Sequence, residues 1–201
     1  MSSLSIARGA VRFVMTGALA VAFMAAGYSN RDASAAVNAM GSVVMPLPKP
    51  AWAEREFLRG KIVEFDTTYA AGSVVVLSRA KRLYLVLGGG KAVEYRIATA
   101  KRGFEWVGAH RVSAKVKWPT WAPPAEMRKR RPELPGFMDG GPENPLGARA
   151  IYLGSSLYRI HGTNEPASIG KAASSGCIRM LNKDVSELYS HVKLGALVIV
   201  M

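Results

Sequence analysis

The sequence predicts a mainly β domain with few helices, arranged as a sandwich or a barrel. Short runs rich in Val, Leu, Ile and Tyr recur from residue 73 to the C-terminus, with polar or glycine-containing turns between them. Strands at such close spacing favour a sandwich or barrel over alternating strands and helices. We expect strands at residues 74–77, 83–87, 92–98, 107–116, 150–153, 157–161 and 197–200.

One helix is predicted near the C-terminus. Apolar residues recur there at the three- and four-residue intervals of an amphipathic helix, at Val185, Leu188, Tyr189 and Val192. Asn182 is a good residue type for the N-cap, and Gly195 is a suitable stop. This pattern predicts a helix whose apolar face packs against the sheet.

Three segments are predicted to be irregular or of undetermined role. Residues 37–50 contain alternating prolines and favour an extended linker, and residues 52–61 form a short lead-in that could be helical. Residues 118–147 contain seven prolines and are expected to form a long loop. A loop of this length inside a compact domain is often a lid or binding loop, but a surface loop without function is an open alternative.

The N-terminus has the pattern of a secretory signal. Arg8 and Arg12 precede an apolar stretch at residues 13–26, and small residues follow at 33–35. The stretch is short for a bilayer span, so we expect cleavage near Ala36, with an uncleaved anchor as the alternative. The predicted organisation is a signal peptide at 1–35, a linker and lead-in at 36–72, and a folded domain at 73–201.

The composition permits a packed core and a basic surface. Hydrophobic residues make up 49% of the chain, so disorder along its whole length is disfavoured. The net charge of +13 would attract polyanions, although a merely solubilising surface explains it as well. The export signal and the lack of a recognised binding motif argue against nucleic acid as a partner.

The segment at residues 161–180, HGTNEPASIGKAASSGCIRM, carries the candidate chemistry. It holds His161 and the only cysteine of the chain, Cys177, which cannot form an internal disulfide. The thiol therefore packs in the core, links this chain to another molecule, or is a reactive group. A nearby imidazole could remove its proton and so activate it. The spacing alone does not bring the two side chains together, because a fold must do so.

The residues beside the thiol suit a reactive site. Gly162 and Gly176 permit sharp turns and a close approach of substrate. Backbone amides at Gly176 and Cys177 could stabilise an oxyanion. Ser175 leaves the thiol accessible, and Arg179 could bind a substrate carboxylate through two hydrogen bonds.

These motifs resemble the L,D-transpeptidase catalytic-domain family. The family pattern is His-Gly, then a gap, then Ser-x-Gly-Cys followed by an apolar residue and Arg or Asn; the chain shows HGTN at 161–164 and SSGCIRM at 174–180. The segments WPTW at 118–121, NPLGAR at 144–149 and the helix-bearing end at 182–201 are also similar. The resemblance covers roughly residues 73–201. Many members carry a second histidine where this chain has Ser175.

The resemblance implies a mostly antiparallel, sandwich-like β fold and a cysteine transpeptidase acting on peptidoglycan. Cys177 would attack the diamino-acid carbonyl of a tetrapeptide stem, with His161, held by a backbone carbonyl, as the general base and acid. The acyl group would pass to an amine or to water, without a metal or another cofactor. Trp118 is a candidate aromatic wall for the substrate, with core packing as the alternative.

The resemblance also implies partners and a compartment. Stem peptides of peptidoglycan would be substrates, carbapenem-type compounds would be inhibitors, and a lysine of an outer-membrane protein is a candidate acceptor. The expected compartment is the periplasm of a Gram-negative bacterium. The alternatives are a non-catalytic wall-binding module, an L,D-carboxypeptidase, and another cysteine peptidase, although papain-like enzymes carry Cys before His.

Overall fold

The structure is a computed structural model that describes the backbone of residues 36–37 and 43–44, and residues 57 and 59–201. The chain divides into two compact units, Met1–Leu47 and Pro48–Met201. In the first, β1 (Ala36–Val37) and β2 (Val43–Val44) pair antiparallel within the predicted linker. The predicted signal segment and cleavage site lie outside the described residues.

The second unit is mainly β, as the sequence predicts. Its helices are α1 (Ala125–Arg130) and α2 (Asn182–His191), with a 3₁₀ turn at Pro166–Ser168. Its strands are β3 (Lys61–Glu64), β4 (Val74–Leu77), β5 (Arg82–Gly88), β6 (Lys91–Arg96), β7 (Thr99–Ala100), β8 (Gly108–Lys117), β9 (Arg149–Leu153), β10 (Arg159–His161), β11 (Ala172–Ser174), β12 (Ile178–Arg179) and β13 (Leu197–Val200).

Nine of these strands form one sheet in the order β12-β10-β9-β8-β13-β4-β5-β6-β3. Most neighbours are antiparallel, whereas β10 with β12 and β13 with β4 are parallel. The long strand β8 pairs with β13 through residues 108–111 and with β9 through residues 112–117, where a bulge interrupts the register. A bulge bends a strand and increases its twist, so β8 joins the two halves of the sheet at an angle.

The two halves share one core, which makes the fold sandwich-like. Leu83 and Tyr95, from one half, belong to the same buried cluster as Ile151 and Ile160, from the other. A bridge between Ala98 and Arg179 connects the segment after β6 to β12 at the opposite end of the sheet. The half of the sheet that carries the candidate site, β12-β10-β9-β8, is therefore hydrogen-bonded at both edges, through β8 to β13 and through β12 to Ala98.

Helix α2 packs on this core through the predicted apolar stripe. Val185 and Leu188 are buried in it, and Val192 follows the last helical residue. The predicted N-cap is wrong, because Leu181 occupies that position and Asn182 is the first helical residue. The Asn182 side chain instead binds two backbone amides of other segments, described below. No helix among the described residues is long and apolar enough to cross a bilayer.

Several elements were not predicted from the sequence, among them the short strands β7, β11 and β12. Strand β3 begins at Lys61, where a helical lead-in was expected to end, and it pairs with β6 at the edge of the sheet. The sheet therefore includes residues before position 73. The predicted loop at 118–147 contains the short helix α1, none of whose residues is buried.

Candidate active site

The pairing of β10 with β12 brings the two halves of the candidate motif together. In this parallel register Ile160 lies beside Ile178, and His161 lies beside Arg179. Both isoleucines are buried in the core. Because side chains alternate across a strand, Arg159 and His161 project from the other face of β10. Extended by one residue, the same register would set Cys177 beside Arg159, two positions along the sheet from His161.

His161 is a buried, neutral imidazole. It is 4% exposed, and its Nδ1 lies 2.6 Å from the carbonyl oxygen of Gly162. A carbonyl can only accept, so Nδ1 carries the hydrogen and Nε2 is left with a lone pair. Burial, followed by the nearby charge of Arg179, lowers the pKa of His161 to about 3. The ring is therefore neutral at ordinary pH and held by a backbone carbonyl, as expected for a base.

The thiol of Cys177 is partly exposed and protonated at neutral pH. Burial raises its pKa, and the charges of Arg159 and Arg179 partly oppose that rise. Its described hydrogen bond is a long one, 3.8 Å from Sγ to the carbonyl oxygen of Leu157. Transfer of the proton to His161 therefore needs a change in the position of Sγ, and catalytic contacts commonly tighten only when substrate binds.

The turn before the thiol depends on Gly176. Its φ of +115° lies in the region that favours glycine, and a Cβ there would come within 2.8 Å of the Tyr158 ring. The Ser174 hydroxyl donates to the carbonyl of Cys177 at 2.5 Å, and the Gly176 amide points at that same hydroxyl at 3.3 Å. The amide predicted to stabilise an oxyanion thus has a weak internal partner, the Ser174 hydroxyl.

Two aromatic rings pack against this turn, and no sequence pattern predicted that contact. The Trp106 indole donates to the carbonyl of Gly176 at 2.7 Å and stacks on Tyr158 at 4.1 Å between centroids. The edge of His110 packs against both rings. Tyr158 therefore packs directly against the nucleophile turn.

Asn182 fixes the backbone behind His161. Its Oδ1 accepts hydrogen bonds from the amides of Ala148, at 2.9 Å, and Thr163, at 3.1 Å. A Cβ at Gly147 or at Gly162 would lie 2.1 Å from that oxygen. Both positions require glycine because the side chain of Asn182 occupies the space beside them.

The insert at residues 118–147 is tied down next to the site. Asn144 is 1% exposed, and its Nδ2 donates to the carbonyls of Pro119, Met138 and Asp139 at 2.9–3.3 Å. The insert also contacts the segment before β8, where the Arg130 guanidinium lies 5.1 Å from the Phe104 ring centre. These contacts order the insert, and its role as a binding loop stays a prediction.

The remaining predicted site residues lie around the edge. Ser175 is exposed beside the thiol, and Arg179 makes an ion pair with Glu165 at 2.9 Å. Trp118 is 44% exposed and lines a groove of about 600 Å³ along α2, which does not include Cys177. A cavity of about 400 Å³ lies behind the nucleophile turn and is lined by Trp106 and Gly176. Within residues 57 and 59–201, no three His, Cys, Asp or Glu side chains are grouped to hold a metal ion.

Known proteins share both the sequence pattern and the fold. The model of the YkuD L,D-transpeptidase catalytic domain matches residues 72–200. The probable L,D-transpeptidase ErfK/SrfK of Salmonella typhimurium is 40% identical over 131 residues, which cover 61% of this chain and 41% of that protein. YqjB of Bacillus subtilis, named for the same activity, is 33% identical over 63% of this chain and 69% of that protein. The chain thus spans less than half the length of ErfK/SrfK.

Solved structures agree on the fold. L,D-transpeptidase 3 of Mycobacterium tuberculosis superposes with a TM-score of 0.52 at 14% identity, over 64% of this chain and 60% of that one. The same enzyme with a faropenem-derived adduct gives 0.51 at 14% identity, over 64% and 59%. At such low identity these likenesses concern the fold alone. The match of the family model to most of the chain shows that this chain belongs to the L,D-transpeptidase catalytic-domain family.

Proposed function

We propose that this protein is a peptidoglycan L,D-transpeptidase with Cys177 as nucleophile and His161 as general base and acid. The observation that supports the proposal is the parallel register of β10 with β12, which pairs His161 with Arg179, two residues after Cys177. The neutral, buried imidazole and the protonated thiol have the protonation states that base-assisted attack requires.

In the first half-reaction, Nε2 of His161 takes the thiol proton as Sγ attacks the diamino-acid carbonyl of a tetrapeptide stem. Backbone amides of the nucleophile turn, at Gly176 and Cys177, stabilise the developing oxyanion. The C–N bond to the terminal D-Ala breaks, and His161 returns the proton to the leaving amine. A thioester on Cys177 remains.

In the second half-reaction, an acceptor amine attacks the thioester and His161 removes one of its protons. The new amide forms, the C–S bond breaks and the proton returns to Sγ. An amine on another stem gives a cross-link, and a lysine of an outer-membrane protein gives an anchored protein. Water as acceptor would make the enzyme an L,D-carboxypeptidase. The proposed reaction calls for no metal or cofactor.

The other predicted residues have supporting roles in this proposal. Arg179, oriented by Glu165, positions the nucleophile turn or a substrate carboxylate. Ser175 and Gly162 border the stem peptide, and Trp118 extends the binding surface along α2. Carbapenem-type compounds would inhibit by acylating the same thiol.

Export to the periplasm of a Gram-negative bacterium is part of the proposal. It rests on the basic and apolar pattern of the N-terminus and on the small residues at 33–35. N-terminal sequencing of protein from the periplasmic fraction should find a start near Ala36. An intact Met1 on membrane-bound protein would indicate an anchor instead.

Turnover of a synthetic tetrapeptide stem tests the chemistry. Cys177→Ala should release no D-Ala, and His161→Ala should be slower by roughly 10²–10⁴-fold, the range for a general base. The double variant should be no worse than Cys177→Ala, because both losses remove the same covalent step. Lys193→Ala, whose exposed side chain lines neither the groove along α2 nor the cavity at the nucleophile turn, is the control and should keep its activity.

The products identify the acceptor. Cross-linked stems indicate transpeptidation, tripeptides indicate carboxypeptidase action, and stems attached to protein lysine indicate anchoring. A correctly folded protein that binds peptidoglycan but turns over no stem would instead support the wall-binding module.

A further inference from the structure

Arg159 is a cation beside the nucleophile that the motif does not predict. It belongs to β10, two residues before His161, and therefore projects from the same face of the sheet. Extending the parallel register by one residue places it alongside Cys177, and its charge partly offsets the rise in the pKa of the thiol. Its guanidinium lies over the ring of Tyr152, 5.2 Å from the ring centre, which holds the side chain in place.

Arg159 and Arg179 differ in their charge partners. Arg179 makes an ion pair with Glu165 at 2.9 Å, so part of its guanidinium is occupied. Arg159 makes no ion pair with any residue of the described part of the chain, and its Nε, like that of Arg179, is buried without an acceptor there. A buried guanidinium nitrogen without an acceptor is costly, and an anionic ligand would relieve that cost.

The chemistry of the proposed donor supplies such an anion at the right distance. The terminal D-Ala of a tetrapeptide stem carries a free carboxylate. Its carbon is separated from the scissile carbonyl carbon by only one nitrogen and one Cα, or roughly 3–4 Å. A carbonyl in reach of Sγ therefore brings this carboxylate close to the residue beside Cys177. Guanidinium groups bind carboxylates through two parallel hydrogen bonds, which also fixes orientation.

We propose that Arg159 binds the free carboxylate of the leaving residue and so selects donors whose scissile bond is followed by a single, unblocked amino acid. This inference rests on the proposed transpeptidase function for the identity of the ligand. Arg179, with Glu165, then serves to position the turn. A purely structural alternative is that Arg159 only stacks on Tyr152.

Two reagents that differ in charge test the anion site without any need for turnover. Iodoacetate and iodoacetamide alkylate the same thiolate, so the ratio of their rates does not depend on how much thiolate is present. We expect Arg159→Gln to lower the iodoacetate-to-iodoacetamide ratio at Cys177 several-fold. Arg111→Gln, which removes an equal charge from an exposed side chain bonded to the Gly195 carbonyl, should leave that ratio unchanged. An equal ratio in wild type and Arg159→Gln would overturn the proposal.

Substrate discrimination then tests the ligand. Wild type should prefer a tetrapeptide stem over the same stem with a C-terminal amide by roughly 10- to 100-fold in kcat/KM, as expected for a hydrogen-bonded charge pair. In Arg159→Gln this preference should collapse towards one, and Arg159→Lys should restore part of it. A structural role would lower kcat/KM for both stems equally and leave the preference intact, which would overturn the proposal.

The two proposals can fail separately. If no stem is turned over but the alkylation ratio depends on Arg159, the transpeptidase assignment fails and the anion site stands. If stems are turned over but neither ratio depends on Arg159, the transpeptidase assignment stands and the carboxylate site fails. Thermal unfolding of each variant checks that it is folded.

Discussion

The buried imidazole of His161 should make the protein lose stability in mild acid. The pKa of His161 is about 3 in the folded protein, against about 6.5 in an unfolded chain. Between these values the unfolded state binds a proton that the folded state does not. Stability therefore rises with pH in this window. The contribution is fully present above pH 6.5 and is lost progressively as the pH falls towards 3.

The size of the effect follows from the difference between the two pKa values. Each pH unit below 6.5 costs up to about 1.4 kcal/mol, so lowering the pH from 7.5 to 5 should cost about 2 kcal/mol through this residue. The whole difference between the two pKa values corresponds to about 5 kcal/mol, but acid would unfold the protein before that loss is complete.

Urea denaturation of wild type and His161→Gln at pH 7.5, 6.5, 5.5 and 5.0 measures the effect. The glutamine side chain is not ionisable, so the variant should lose about 2 kcal/mol less than wild type over this range. Other titrating groups are common to the two proteins and cancel in the difference. Equal pH dependence in both would refute the buried, neutral state of His161 and with it the basis for the general-base role.

Three further substitutions test the architecture of the site. Gly176→Ala should lower the free energy of unfolding by about 1–2 kcal/mol because of the positive φ, and further because the new Cβ clashes with Tyr158. Thermal unfolding measures the loss of stability, and the rate of thiol alkylation measures the change at Cys177. An unfolding midpoint equal to that of wild type would contradict the assigned turn. Asn182→Ala removes the acceptor of two backbone amides and should lower the free energy of unfolding in urea by roughly 2–4 kcal/mol. Asn182→Asp keeps an acceptor and should lose less stability. Equal losses in the two variants would show that the acceptor is unimportant. Arg179→Lys keeps the charge but loses the planar fork that binds Glu165, so kcat/KM for tetrapeptide stems should drop; unchanged kinetics would remove Arg179 from the site.

Local patterns predicted the core elements well because burial follows the periodicity of apolar residues. The strands around Val75, Leu85 and Ile151 and the stripe of α2 were all predicted from such runs. Strand β3 escaped because its residues are mostly exposed and show no clear alternation. The N-cap was assigned wrongly because Asn182 is used for long-range hydrogen bonds, and residue type alone does not distinguish the two uses.

The site was predictable only in part. The motif indicated His161 and Cys177, but their common face depends on a parallel register that no local spacing reveals. Trp106 could not be found because it reaches the turn from a segment 70 residues away. Arg159 lies directly before the Ile-His pair, and with a strand assigned there, alternation alone would have put it on the face of His161.

Mass spectrometry after incubation with a carbapenem tests the central claim most directly. A thiol activated by His161 should form one covalent adduct, located on the tryptic peptide that contains Cys177. Cys177→Ala should form none, and His161→Ala should form it far more slowly. If the folded wild-type protein stays unmodified, or if Cys177→Ala still turns over tetrapeptide stems, the cysteine transpeptidase account is contradicted.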